Sequence, residues 1–238
     1  APLFALAFSP VDGTLATAGV RCLRLWTRDA LGGPLICRDA ELAPLGDDAR
    51  RAPPTLCCAA YLPGGALVAG TAHGELWCWA GVSLIRRYRA HDGPIFALEA
   101  SAADGHLLSG GKDGWLRLWS PALWSAHAAP PSAAHPPAEG APAGAPSAPL
   151  PLRMLDMREL GGQLTDVAGR PRLLGSPCLR SIHWVGAQVL MGTRAAELVL
   201  LDYSTDELNP EATLLLQGHC PLAARPRAPD APPAAFAA

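Results

Sequence analysis

His91, Ser109 and Asp113 are the residues from which a hydrolase would be assembled: a carboxylate to orient an imidazole, an imidazole to take a proton, a hydroxyl to attack. Residues 90–98 read Ala-His-Asp-Gly-Pro-Ile-Phe-Ala-Leu, and residues 107–119 read Leu-Leu-Ser-Gly-Gly-Lys-Asp-Gly-Trp-Leu-Arg-Leu-Trp. A catalytic serine needs an exposed hydroxyl next to an oxyanion site. Ser109 instead sits in an apolar run before two glycines, with no Gly-x-Ser-x-Gly elbow around it. The pattern therefore favours a buried polar brace over a nucleophile. The same stretch narrowly misses a phosphate loop, with His106 where the motif needs Gly and Asp113 where it needs Ser or Thr. The seven histidines (His73, His91, His106, His127, His135, His183 and His219) show neither His-x-x-x-His nor mixed Cys/His spacing, so no metal or other cofactor is expected. Arg86, Arg87 and Arg89 form a small basic cluster. It could face an anionic partner such as an acidic polypeptide tail, but the favoured reading is a solvated sheet edge protected from pairing by charge.

The elements that position these residues recur. An apolar run, a turn, a short strand ending in small residues, a second turn and an alternating strand ending in Trp appear at 4–8, 15–19 and 21–26, and again at 56–61, 66–70 and 74–79. A third copy occupies 94–100, 106–110 and 114–119, and a fourth 178–184, 188–192 and 197–202, with Tyr203 where the others carry Trp. Trp26, Trp79 and Trp119 close the first three copies, at spacings that bracket the roughly 40–45 residues of a propeller blade. In the third strands, Leu23 and Leu25 alternate with Arg24 and Trp26, and Leu116 and Leu118 with Arg117 and Trp119. Such period-two alternation lays one face against a neighbouring blade. Outer fourth strands are predicted at 84–88, 152–157 and 213–217, and a helical period is weak throughout.

The expected architecture is all-β, with about four four-stranded antiparallel blades in a partial or open propeller. Residues 1–120 hold blades one to three, lacking the outer strand of the third, and residues 152–220 supply that strand and blade four. Between them, residues 121–151 are almost entirely Ala, Pro, Ser and Gly. Such a segment buries too little apolar surface to offset its ordering entropy, so a disordered insertion is predicted there. Residues 161–177 read as an irregular connection and 221–238 as a disordered tail. The lone Trp124 is expected to pack on the outside of its blade. Four blades leave two open sheet edges, from which a fragment or truncated product is predicted.

A net charge of −2 and a pI near 6.4 give no electrostatic reason to expect nucleic acid or an anionic membrane as partner. Arg outnumbers Lys eighteen to one, Lys112 being the single lysine, as codon bias in a GC-rich genome produces. The seven cysteines (Cys22, Cys37, Cys57, Cys58, Cys78, Cys178 and Cys220) are odd in number and form no Cys-x-x-Cys pair. They read as reduced, mostly buried thiols of a cytoplasmic protein. No apolar run approaches a membrane span.

Residues 21–27, 90–98, 108–113, 189–194 and 214–219, in this order, resemble the echinoderm microtubule-associated protein-like family of WD-repeat proteins. In WD repeats a His before the first strand, a Ser or Thr on the second, an Asp in the following turn and a Trp on the third form a hydrogen-bonded chain. His91, Ser109, Asp113 and Trp119 match those four places. The resemblance implies a WD-type β-propeller, a non-catalytic scaffold on tubulin and a location on cytoplasmic microtubules. A generic WD-repeat adaptor without microtubule binding is the alternative it leaves open, and a propeller enzyme would need inner-strand groups beyond Glu99 and His183. Blade two departs from the pattern, having no His before its first strand and His73 where the turn Asp belongs.

Overall fold

Short β-branched, aromatic and Leu-rich runs separated by Gly-bearing turns leave the chain few alternatives to antiparallel hairpins. The computed structural model describes residues 1–28, 33–42, 52–124, 149–202 and 211–218. Within these, the strands form four sheets. Blade one is β1 (Leu3–Phe8), β2 (Leu15–Gly19), β3 (Cys22–Thr27) and β4 (Ile36–Asp39). Blade two is β5 (Leu56–Tyr61), β6 (Leu67–Thr71), β7 (Glu75–Ala80) and β8 (Ser83–Arg89). Blade three is β9 (Ile95–Ala100), β10 (Leu107–Gly111), β11 (Trp115–Trp119) and β12 (Arg153–Asp156). Each of these sheets is antiparallel, with strands paired in chain order.

A five-residue helix α1 (Met157–Gly161), capped by Asp156 accepting from the Arg158 N–H at 2.8 Å, leads out of blade three. Blade four follows with β13 (Thr165–Asp166), β14 (Leu179–Val185), β15 (Gln188–Thr193), β16 (Glu197–Asp202) and β17 (Glu211–Gln217). Strand β13 adds to β17 in parallel, making this a five-stranded sheet. Neither β13 nor α1 is marked by any period in the sequence. Both lie in or beside the stretch expected to be irregular, and Leu164 and Met157 anchor them by burying fully against blade four.

The innermost strands stand side by side in the series β1, β5, β9, β14, and among the described residues β1 does not pack against β14, so the array of blades is open. Apolar residues alternate between the two interfaces of each blade. Leu67 packs toward blade one and Val68 toward blade three, while Leu107 packs toward blade two and Leu108 toward blade four. Small residues end the second strands because the next blade's inner strand lies against them. A Cβ on Gly70 would come within 2.8 Å of Ile95, and one on Gly110 within 2.7 Å of Leu179.

The three tryptophans occupy one register position, Trp26 opposite Leu15, Trp79 opposite Leu67 and Trp119 opposite Leu107. Pro121–Trp124, at the start of the stretch expected to be an insertion, forms a 3-10 turn. Its Trp124 is buried, edge-on to Tyr88 with ring centroids 5.7 Å apart, because Leu62 and Tyr88 leave an apolar niche beneath it. The rest of the insertion, Tyr203 and the tail lie outside the described residues.

Candidate functional site

The turn between β8 and β9 carries His91, whose backbone N–H donates to the Gly74 carbonyl of blade two at 2.9 Å. Gly74 holds a left-handed φ of +84°, and a Cβ there would collide with the His91 carbonyl oxygen, so this crossing of blades requires glycine. From that position the imidazole reaches down into blade three. His91 Nδ1 lies 2.9 and 3.0 Å from the two Asp113 oxygens, and Nε2 lies 2.7 Å from Ser109 Oγ. Trp119 Nε1–H donates to the same Ser109 oxygen at 2.8 Å.

Only one arrangement of protons satisfies every member. The indole N–H has no acceptor ability, so Ser109 accepts from it and donates its own O–H to His91 Nε2. His91 then carries its proton on Nδ1 and donates to the carboxylate of Asp113. Asp113 further accepts from the backbone N–H groups of Asp92 (3.2 Å) and Trp115 (3.3 Å), and the Arg117 guanidinium stands 3.5 Å away. Arg117 also donates to the Ala90 carbonyl. Burial pushes the Asp113 carboxyl up, but the hydrogen bond from His91, with the two backbone donors, outweighs it and holds the pKa below the ordinary 3.8.

The connectivity of acid, imidazole and hydroxyl is that of a hydrolytic triad, but the accessibility is not. His91, Ser109 and Trp119 are each at most 1% exposed. The serine oxygen that would attack is engaged by an indole on one side and by imidazole on the other. No substrate atom reaches it without dismantling the blade.

The other blades carry parts of this arrangement. In blade one Thr17 takes the place of Ser109, and Trp26 Nε1–H donates to it at 3.0 Å. In blade two the equivalent position is Ala69, so Trp79 Nε1–H turns to the Glu41 carbonyl at 2.8 Å, while the Glu41 carboxylate accepts from Leu84 N–H at 3.1 Å. Blade four has Met191 and Leu201 at the serine and tryptophan positions. A different brace appears there: Glu197, 1% exposed, accepts from the Thr193 hydroxyl at 2.6 Å and from the backbone of Gly175 and Ser176 at 2.6 and 3.3 Å. Glu197 escaped sequence reading because two of its three donors are backbone groups 21 and 22 positions earlier in an irregular stretch.

The three arginines of β8 divide between its two faces, Arg86 on one and Arg87 and Arg89 on the other. Adjacent strand residues point to opposite faces, and Arg86 and Arg87 are half-buried opposite Cys78 and Trp77. Arg89 alone is exposed; it donates to the His73 carbonyl at 2.7 Å and lies 3.8 Å from Asp92. On the inner strands, His183 Nδ1 pairs with Glu99 at 3.2 Å, and Arg180 lies over the Phe96 ring at 4.1 Å. Among the described residues no group of three His, Cys, Asp or Glu side chains is placed to hold a metal ion.

Six of the cysteines are free thiols. Cys58, Cys78 and Cys178 are buried, whereas Cys37 is exposed, because β4 is an edge strand. Burial raises the Cys58 thiol strongly and pushes Cys78 up to about 12, so both behave as small apolar side chains. Among the described residues no helix is long and apolar enough to cross a membrane.

Three four-stranded sheets and one five-stranded sheet side by side in an open array, with a His–Ser–Asp–Trp chain in the third, have the architecture of a WD-type propeller. Residues 82–120, which are β8 to β11 with the whole chain of hydrogen bonds, match the family "WD domain, G-beta repeat". A ciliary WD repeat-containing protein, ctxp80 of Euplotoides octocarinatus, is 30% identical over 122 residues, which is 50% of this chain. The chain spans 16% of the length of that relative.

Proposed function

We propose that this chain is a non-catalytic scaffold whose blades present loops to other proteins, and that the partner is tubulin in microtubules. The observation that carries the non-catalytic half is the capped Ser109 hydroxyl: the one triad-like constellation is consumed in holding blade three together. The microtubule half is supported by the motif resemblance of residues 21–27, 90–98, 108–113, 189–194 and 214–219 to the echinoderm microtubule-associated protein-like family. The ciliary designation of the relative agrees with a cytoskeletal, cytoplasmic setting. A WD-repeat adaptor without microtubule binding is the second reading, favoured by the half-burial of Arg86 and Arg87, which leaves Arg89 as the exposed one of the three.

Co-sedimentation with taxol-stabilised microtubules at low salt separates the two. The scaffold reading expects the chain in the pellet, with release as ionic strength rises and screens contacts to acidic tubulin tails. A chain that stays in the supernatant at low salt leaves only the adaptor reading standing.

A further inference from the structure

The hairpin turns of the blades are sorted by charge. Turns between first and second strands, residues 9–14, 62–66, 101–106 and 186–187, carry Asp12 and Asp104 and neither Lys nor Arg. At the opposite end, the turns between second and third strands carry Arg21, Lys112 and Arg194, and their one carboxylate, Asp113, is engaged by His91. A crossing repeated in all four blades sets the first residue of each such turn beside the start of the innermost strand. Val20 N–H donates to the Pro2 carbonyl at 3.1 Å, and Ala72 to Thr55, Lys112 to Pro94 and Arg194 to Cys178 each at 2.9 Å. Lys112 and Arg194 thus hold equivalent places on neighbouring blades. Arg180, two residues past Cys178, crosses the junction and lies 4.1 Å over the ring of Phe96, two residues past Pro94.

Three cations are therefore gathered where blades three and four meet. All three are exposed, and among the described residues none is in an ion pair. The carboxylates nearby are already engaged: Asp92 stands 3.8 Å from Arg89, and Glu99, further along β9, lies 3.2 Å from His183. Lys112 is exposed with a blade on either side of its own, so the turn itself presents the charge. Neighbouring sheets lie about 10 Å apart, too far for one small anion to bridge Lys112 and Arg194. An acidic segment in PPII form, with three residues per turn at about 3.1 Å each, sets carboxylates along one side at about that interval. We propose that Lys112, Arg180 and Arg194 form the docking site of an acidic polypeptide segment lying across the junction of blades three and four. The inference rests on the scaffold reading and names the place where acidic tubulin tails are held.

Fluorescence anisotropy of labelled decaglutamate at low salt, with the full 238-residue chain, tests it. Wild type is expected to bind, with an affinity that falls as salt rises. Lys112→Glu with Arg180→Glu is expected to weaken binding by about tenfold or more. Arg28→Glu with Arg38→Glu, the same change of charge at exposed places on blade one, should alter it by less than about twofold. Far-UV circular dichroism checks folding, and if the first pair loses its β-sheet spectrum, Lys112→Gln with Arg180→Gln takes its place, with a loss of about threefold expected. No binding of decaglutamate overturns the proposal, as does an equal loss in the two charge-matched pairs. Microtubule pelleting of the same proteins keeps the site apart from the reading beneath it. Decaglutamate binding that needs Lys112 and Arg180, without pelleting, keeps the site and removes tubulin as its partner. Pelleting without decaglutamate binding removes the site and leaves the microtubule reading standing.

Discussion

Ser109→Ala removes the one oxygen on which the blade-three chain turns, and the structure allows its effect to be worked out. Ser109 accepts from Trp119 Nε1 and donates to His91 Nε2, and all three residues are shut off from solvent. Alanine leaves a buried indole N–H without an acceptor and a buried imidazole nitrogen without a donor. Each such group costs about 1–3 kcal/mol, and loss of the hydroxyl's own desolvation returns part of it, so a net loss of about 2–4 kcal/mol is expected. Thr17→Ala in blade one is the matched control. It breaks the equivalent bond to Trp26, but that indole lies on the half-exposed open face where water can replace the hydroxyl, so about 0.5–1 kcal/mol is expected. Urea unfolding followed by tryptophan fluorescence at one fixed protein concentration reads both. With a slope of about 2 kcal/mol per molar, Ser109→Ala should lower the midpoint by about 1–2 M. A Ser109→Ala midpoint no further from wild type than that of Thr17→Ala would refute the reasoning.

Three further outcomes follow from the same geometry. Glu197→Ala strips an acceptor from three donors in blade four, which has neither the serine nor the tryptophan of the blade-three chain; a loss of about 2–4 kcal/mol in the same urea assay is expected, with faster proteolysis around residues 172–178. Asp113 has a folded pKa below its ordinary 3.8, so its contribution is whole at neutral pH and is lost as pH falls below about 4 through the folded value. The stability gap between wild type and Asp113→Ala, measured in acid titrations of urea midpoints, should therefore shrink below about pH 4. Gly74→Ala, at φ +84° and against the His91 carbonyl, should destabilise by more than about 1 kcal/mol, whereas Gly64→Ala, with open space around it, should be near neutral in the same thermal melts.

Most of the fold was legible because two periodicities coincide. Alternation of Leu with Arg or Trp fixes which face of a strand is buried, and Trp26, Trp79 and Trp119 mark the same register position in successive units. The elements that escaped are those held by tertiary contact rather than by pattern. Strand β4 (Ile36–Asp39) is an exposed edge without apolar alternation, α1 is only five residues long, and β13 exists because it pairs in parallel with β17. The His91, Ser109, Asp113 and Trp119 cluster was legible because its residue types are distinctive and their spacing is set by hairpin geometry. The brace of blade four was not, because Glu197 reaches backbone donors that any sequence would supply. Arg86, Arg87 and Arg89 are neighbours in the sequence, but the pleat of β8 sends Arg86 to one face and Arg87 and Arg89 to the other.

The account rests on Ser109 being sealed between an indole and an imidazole, and hydrogen exchange at the tryptophan indoles tests that seal most directly. Trp119 Nε1–H, bonded to Ser109 in the core, should exchange only through opening of the blade and remain among the slowest protons in the molecule. Trp184 Nε1–H, bonded to the Gly186 carbonyl in an exposed turn, should exchange orders of magnitude faster. Equal, rapid exchange at both would show Ser109 open to solvent and would contradict the account.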